Sequence, residues 1–229
     1  VAANYIARWN GSDWSALGAG MNNTVYSLAV LPGGSLVAGG WFTAAGGSMA
    51  SHVARWNGAS WSSVGLGLGD TVYALAVLPN GNLVAGGTFT NAIVLNANRI
   101  AQWNGSFWSA MGTGMNNQVR SLAVLPNGNL IAGGSFTTAG DLPAESVARW
   151  NGVAWSGLGT GMNRTVYALA VPRDGNLVAG GDFTVVNGVP SSKVVSLSIG
   201  SSIISHPTDV SVSPGEAATF SINATGTGL

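Results

Sequence analysis

The hydrophobic and polar positions along the chain mark out short strands. Val25–Leu31 (VYSLAVL) is rich in strand formers and ends at Pro32-Gly33-Gly34, and Leu36–Thr43 (LVAGGWFT) returns after it. After a loop of about seven residues come His52–Trp56 (HVARW), the Asn57-Gly58 turn and Trp61–Val64. Nowhere do apolar residues recur with the period of about 3.6 that marks a helix. This four-strand phrase repeats. Ala7, Ala54, Ala101 and Ala148 open copies 47 residues apart, with no insertion or deletion between them. Within Leu83–Gly87 (LVAGG) neither alternate set of side chains is polar, whereas a sheet wetted on one face would alternate.

The fold class predicted is all-β. A sheet that is apolar on both faces needs a cover on each, and four-stranded antiparallel sheets at a fixed period supply that cover as the stacked blades of a β-propeller. The repeats 7–53, 54–100, 101–147 and 148–194, with partial strands at both ends, predict about four blades in residues 1–200, in a four- or five-bladed ring. Asn80-Gly81, Asn127-Gly128 and Asp174-Gly175 predict two-residue primed turns with positive φ at both positions. Tight turns then share one face. The Gly-x-Gly-Met-Asn-Asn segments and the loops after Phe-Thr share the other, where a ligand is expected. Val1–Ile6 aligns with the end of a repeat, so the chain is expected to begin part-way through a unit and to be a fragment.

The phrase VYALAVLPNGNLVAGGTFT at Val72–Thr90, with VARWNG at Val53–Gly58 and Val147–Gly152, resembles bacterial secreted β-propeller repeat proteins of the kelch/galactose-oxidase-like superfamily. It is also similar to the WD-type blade. The resemblance covers residues 1–199 and implies a propeller, but no single activity, because such repeats serve many functions. The period is similar to that of the five-bladed tachylectin lectins, whose repeat phrases and ligand residues are not found here. Beyond Val194 the pattern decays. Ser202–Ser205 is expected to close the fourth unit, and 201–229 is expected to be a linker and the truncated start of a bacterial immunoglobulin-like domain, which Ile204–Val212 and Pro214–Phe220 resemble.

Charge narrows the partners. Apolar residues make up 46% and charged residues only 7%, with eight basic residues against eight acidic. Without a basic field neither nucleic acid nor an anionic membrane is expected as a partner. No apolar run approaches the ~18 residues of a membrane helix. The absence of cysteine excludes disulfides and thiolate chemistry. The acidic residues are scattered, and only Asp70 and Asp182 would share the loop face as the carboxylate pair of a glycosidase. His52 occupies the place of Tyr5, Arg99 and Ser146 and is expected to be exposed. No calcium loop or phosphate-cradling glycine motif is present. No catalytic residue, metal or cofactor is expected.

Candidate binding residues come from breaks in the repeat. The tryptophan pairs, such as Trp56 and Trp61, are read as packing between outer strands, the alternative being a sugar-stacking platform on the rim; Arg8, Arg55 and Arg149 are read as structural rim arginines or as covers stacked on the adjacent tryptophan. Met21, Met115 and Met162 precede Asn22-Asn23, Asn116-Asn117 and Asn163-Arg164. These form either loops whose asparagines satisfy the backbone or a polar collar facing a ligand. Trp41 stands where other copies carry Thr88, Ser135 and Asp182, so the repeat does not require an aromatic there. Five Asn-x-Ser/Thr sequons occur, at Asn10, Asn22, Asn104, Asn163 and Asn223. The function expected is a non-enzymatic binding or adhesion module, extracellular or on the cell surface, whose partners are glycans or other surface proteins. The alternatives are a lectin with repeated shallow sites and an accessory domain of a larger secreted enzyme.

Overall fold

The computed structural model describes residues 2–197, together with the backbone of residues 202–205 and 223–225. Three four-stranded antiparallel sheets follow one another. The first is Val25–Val30, Leu36–Gly40, Val53–Trp56 and Trp61–Ser63; the second is Val72–Val77, Leu83–Gly87, Ile100–Trp103 and Trp108–Ala110. The third is Val119–Val124, Leu130–Gly134, Val147–Trp150 and Trp155–Gly157. A fourth sheet has three strands, Val166–Ala170, Leu177–Gly181 and Val194–Leu197, and the pair Ala7–Trp9 and Trp14–Ala16 precedes the first. The architecture is all-β and propeller-like. Among the described residues no helix is long and apolar enough to cross a membrane.

Two expectations about strands are corrected. Ser202–Ser205 pairs with Asn223–Thr225 and not with the fourth sheet. The cross-strand tryptophan pair that joins third and fourth strands elsewhere is missing there, because Leu197 stands in its place. The rest of the immunoglobulin-like segment lies outside the described residues. The Asn-Gly turns are not primed: φ is positive at Gly34, Gly81, Gly128 and Gly175 but not at the residue before each. The Leu31 N–H donates to the Ser35 carbonyl (2.9 Å) and the Gly34 N–H to that of Leu31 (2.8 Å). This is a type I turn closed by a glycine bulge, favoured by the negative φ that Pro32 brings to its first corner. The two-residue primed turns lie instead at Gly46-Gly47, Gly140-Asp141 and Asn187-Gly188, where both φ values are positive. They close small hairpins, such as Ala44–Ala45 with Ser48–Met49, inside what the sequence presents as a loop.

The first strand of each sheet packs on the first strand of the next, so these four strands lie together along an axis. Their approach depends on the first glycine of each Ala-Gly-Gly run. A Cβ on Gly39, Gly86 or Gly133 would come 2.6, 2.5 or 2.7 Å from Cγ1 of Val72, Val119 or Val166 on the following sheet. Further out, each outer hairpin latches onto the sheet before it. The Trp61, Trp108 and Trp155 indole N–H groups donate to the carbonyls of Leu17, Val64 and Met111 at 2.8, 3.0 and 2.8 Å. Their partners Trp56, Trp103 and Trp150 lie 5.3–5.5 Å away, ring centre to ring centre. These six tryptophans are therefore spent on packing, whereas Trp9 and Trp14 of the leading pair are exposed. Arginine does not stack on them: among the described residues the arginine–ring contacts belong to Arg120, and Arg55 donates to the Ser35 hydroxyl (2.9 Å).

The fourth sheet is different. The atoms nearest a Cβ on Gly180 lie 4.0 Å away, on Lys193 and Val194 of its own sheet. The first sheet likewise leaves Leu28 exposed, beside a cleft of about 380 Å³ lined by Ile6, Ala7, Leu17, Leu36 and Trp56. Substitution separates the two environments. Gly86→Ala is expected to destabilise the fold by about 1–3 kcal/mol through overpacking against Val119, while Gly180→Ala changes stability by no more than about 0.5 kcal/mol. Thermal or urea unfolding of the two variants measures both.

Candidate functional site

The sites of interest lie at the end of the axial strands fed by the Gly-x-Gly-Met-Asn-Asn loops. There each axial strand carries one extra residue. Val25 pairs with Gly40 but Ser27 pairs with Gly39, which leaves Tyr26 bulged out; the same slip leaves out Tyr73, Arg120 and Tyr167. The second glycine of each run makes the bulge possible. A Cβ on Gly40, Gly87, Gly134 or Gly181 would lie 2.0–2.1 Å from the carbonyl oxygen of Thr24, Thr71, Gln118 or Thr165. A bulge re-aims a side chain away from the sheet. The four ejected residues meet side by side: the Tyr26 and Tyr73 rings are edge-on at 5.3 Å, and the Arg120 guanidinium carbon lies 4.5 Å from the Tyr73 ring centre and 5.9 Å from that of Tyr167. The Tyr167 hydroxyl donates to Asp182 Oδ2 (2.8 Å), and the carboxylate raises the phenol above its ordinary range.

Around this row sit the ends of the second strands. Trp41 is 55% exposed, with its N–H donated to the Thr24 carbonyl (2.8 Å). Ser135 meets the Thr165 hydroxyl at 3.1 Å across the third and fourth sheets. Beside that contact is a polar cavity of about 330 Å³, lined by Glu145, Ser146, Arg164, Thr165 and Asp182. Asp70 and Asp182 stand at the ends of the second and fourth sheets, each bonded within its own sheet or the strand end beside it. Asp70 accepts from the Thr71 N–H (2.6 Å) and hydroxyl (3.1 Å). Partial burial pushes its pKa up, but these bonds and the Thr88 hydroxyl outweigh that and hold it below the ordinary 3.8.

Of the methionine–asparagine collar, the methionines lie in the core, while Asn22, Asn116, Asn117, Asn163 and Arg164 are exposed. Met21, Met115 and Met162 are only 3%, 3% and 1% exposed, each bridged by its backbone to Ala45, Ala139 or Val186, so none reaches a ligand. Asn22 donates to the Thr43 hydroxyl and accepts from the Thr43 and Ala44 N–H groups. Asn116 and Asn163 make the same three bonds with their own loops. Asn23 and Asn117 accept from the next N–H in the chain. Of the collar, Arg164 alone lines the polar cavity with a charge. His52 is not freely exposed: it is half-buried at a left-handed φ of 65°, a conformation that Tyr5, Arg99 and Ser146 share.

Sequence reasoning missed the Tyr26–Tyr73–Arg120–Tyr167 row, and its signal was a residue in the Val-Tyr phase replaced once by arginine. It also missed an apolar cavity of about 280 Å³ on the flank of the second sheet, formed by Leu66, Val94, Leu95 and Phe107 with Trp103 and Trp108. Leu66 and Phe107 stand where other copies carry small or polar residues.

The model of the Rax2 C-terminal beta propeller domain matches residues 95–227, more than half of the chain. The chain belongs to that family. Solved structures share the fold of this Rax2-type chain at low identity. The extracellular domain of the hybrid two component system BT4673 from B. thetaiotaomicron is similar over 89% of this chain and 26% of its own, with 14% identity and a TM-score of 0.58. That of BT3049 from the same organism covers 89% and 27%, with 9% identity and a TM-score of 0.51. The chain thus spans about a quarter of either structure. No curated protein matches it. Among the described residues of this Rax2-type chain, no three His, Asp or Glu side chains gather into a metal site.

His52 gives the face a pH signature. Burial lowers its pKa below the ordinary 6.5, against smaller opposing effects from the Gly40 carbonyl and Asp70. A depressed folded-state pKa means that this contribution to stability is whole above 6.5 and is lost as pH falls from there towards the folded-state value. Asp70 stays ionised throughout that window. The melting temperature is expected to fall between about pH 7.5 and pH 5, and less steeply in His52→Asn, where asparagine tolerates the left-handed backbone.

Proposed function

We propose that this chain is a non-catalytic extracellular binding or adhesion module that presents its contacts on the loop face. One observation carries the reading. The side chains that break the repeat and that packing does not use, Trp41, Arg120, Arg164 and Asp182, collect at one end of the sheets. Three of these were absent from, or not distinctive in, the collar expected of a multivalent lectin, and the asparagines of that collar are spent on their own loops. A single site near the axis therefore fits better than one shallow site per sheet.

In this reading the sheets are blades of a kelch-like ring with a 47-residue repeat and four or five members. Residues 201–229 open an immunoglobulin-like neighbour. The extracellular setting of the BT4673 and BT3049 domains supports a cell-surface or secreted location. Surface glycans and surface proteins are the partners proposed; the apolar cavity at Phe107, on the flank of the second sheet, suits a protein contact.

Binding of the purified chain to panels of glycans and surface proteins tests the proposal. A ligand is expected whose affinity falls roughly tenfold or more in Trp41→Ala, the loss of an exposed aromatic anchor. Melting temperature changes little, because Trp41 is 55% exposed and other copies carry small polar residues in its place. Hydrolytic or redox turnover by the pure chain, or binding indifferent to every loop-face substitution, overturns it.

A further inference from the structure

We propose that Arg120 anchors a carboxylate-binding site for acidic sugars at the loop-face end of the axial strands. This deepens the reading of that face as a binding surface and rests on it.

The first observation is the state of the guanidinium. Tyr73 on the preceding sheet and Tyr167 on the following sheet flank it at 4.5 and 5.9 Å. Ring contacts attract the cation but leave its N–H donors unsatisfied. Among the described residues no acceptor bonds those donors, and Nε is buried without a partner. Asp182, the nearby acid, is held by the Tyr167 hydroxyl instead. Nε is closed off between the rings, so a carboxylate would meet the two terminal nitrogens, whose paired N–H groups have the spacing it accepts bidentately.

A second observation is independent of the first. The scaffold does not need a cation here. The same bulge carries tyrosine in the first, second and fourth sheets, with the same slip in register. Arginine at this one place is thus a departure that packing leaves unexplained.

The neighbours specify a sugar over an acidic peptide. Tyr26 and Tyr167 are half-exposed, and Trp41 rises from the strand beside Tyr26. Flat aromatic faces in the row that holds the carboxylate anchor suit the C–H face of a pyranose.

The test titrates the 229-residue chain with a short oligogalacturonate, a neutral oligosaccharide of the same linkage and a glutamate-rich peptide, by calorimetry or NMR. Arg120→Tyr restores the residue found at this bulge elsewhere, so it keeps the fold, which its melting temperature verifies. The uronate is expected to bind best, more weakly in higher salt, and to lose roughly tenfold or more of its affinity in Arg120→Tyr. Arg120→Lys loses less, keeping the charge without the paired donors. Equal uronate affinity in Arg120→Tyr overturns the proposal. So does a neutral sugar or the peptide binding as tightly as the uronate, or a folded chain that binds no uronate. Trp41-dependent binding of some other ligand would then leave the broader reading standing.

Discussion

Successive sheets can touch because a hydrogen stands where a methyl group would otherwise be. At Gly39, Gly86 and Gly133 the space a Cβ would need is filled by a valine methyl from the next axial strand. The close approach brings the apolar faces of Val37, Val84 and Ile131 into contact with the neighbouring sheets' cores, at the density that makes dispersion add up. It also meets the edge problem of the axial strands. The Leu75 and Leu169 N–H groups point away from their own sheets and are taken up by the Ser27 and Ser121 hydroxyls of the preceding ones, at 3.0 and 2.9 Å. The tryptophan latches then fix the outer ends of the same interface.

That arrangement determines where the chain is free to vary. The sheet faces that meet a neighbour are committed, and so are most loop side chains. Asn22, Asn116 and Asn163 each hold the loop before an axial strand to the loop after the second strand. These bonds make the loop face stiff, so a ligand meeting it pays little to order the backbone. Variation is left to positions at the strand ends, where Trp41, Thr88, Ser135 and Asp182 differ without disturbing the bond from each N–H to the carbonyl across from it. Specific chemistry on a repetitive scaffold collects at such places.

Much of the fold was legible because runs of strand formers apolar on both faces, at fixed spacing, report directly on strands and their covers. Val25–Val30, Leu36–Gly40 and Val53–Trp56 lie where the pattern of β-formers put them, and Trp56 faces Trp61 across the Asn-Gly turn. The small hairpins were hidden because two-residue strands leave no alternation to read; only Gly46-Gly47 and Asn187-Gly188 hinted at them. The site was less legible than the fold. Methionine beside asparagine looks like a loop surface, yet Met21 is drawn into the core by its bridge to Ala45, a tertiary pairing with no local signature. Tyr26 and Arg120 looked like ordinary strand positions, because a bulge depends on which residues pair across two strands and not on either strand alone.

The bulge also explains how one end of a tightly packed sheet can carry binding groups at all. In a regular strand the residue after Val119 would point to a face already filled by a neighbouring sheet, where an arginine would be buried without partners at large cost. The extra residue lifts it off that face, and Gly134 makes room by letting the Gln118 carbonyl come close. Packing and recognition are thereby separated within two residues of the same strand: Val119 fills the space at Gly86, and Arg120 is left to the rings of Tyr73 and Tyr167. A change at the bulge alters what the face can bind while the contact that stacks the sheets stays as it was.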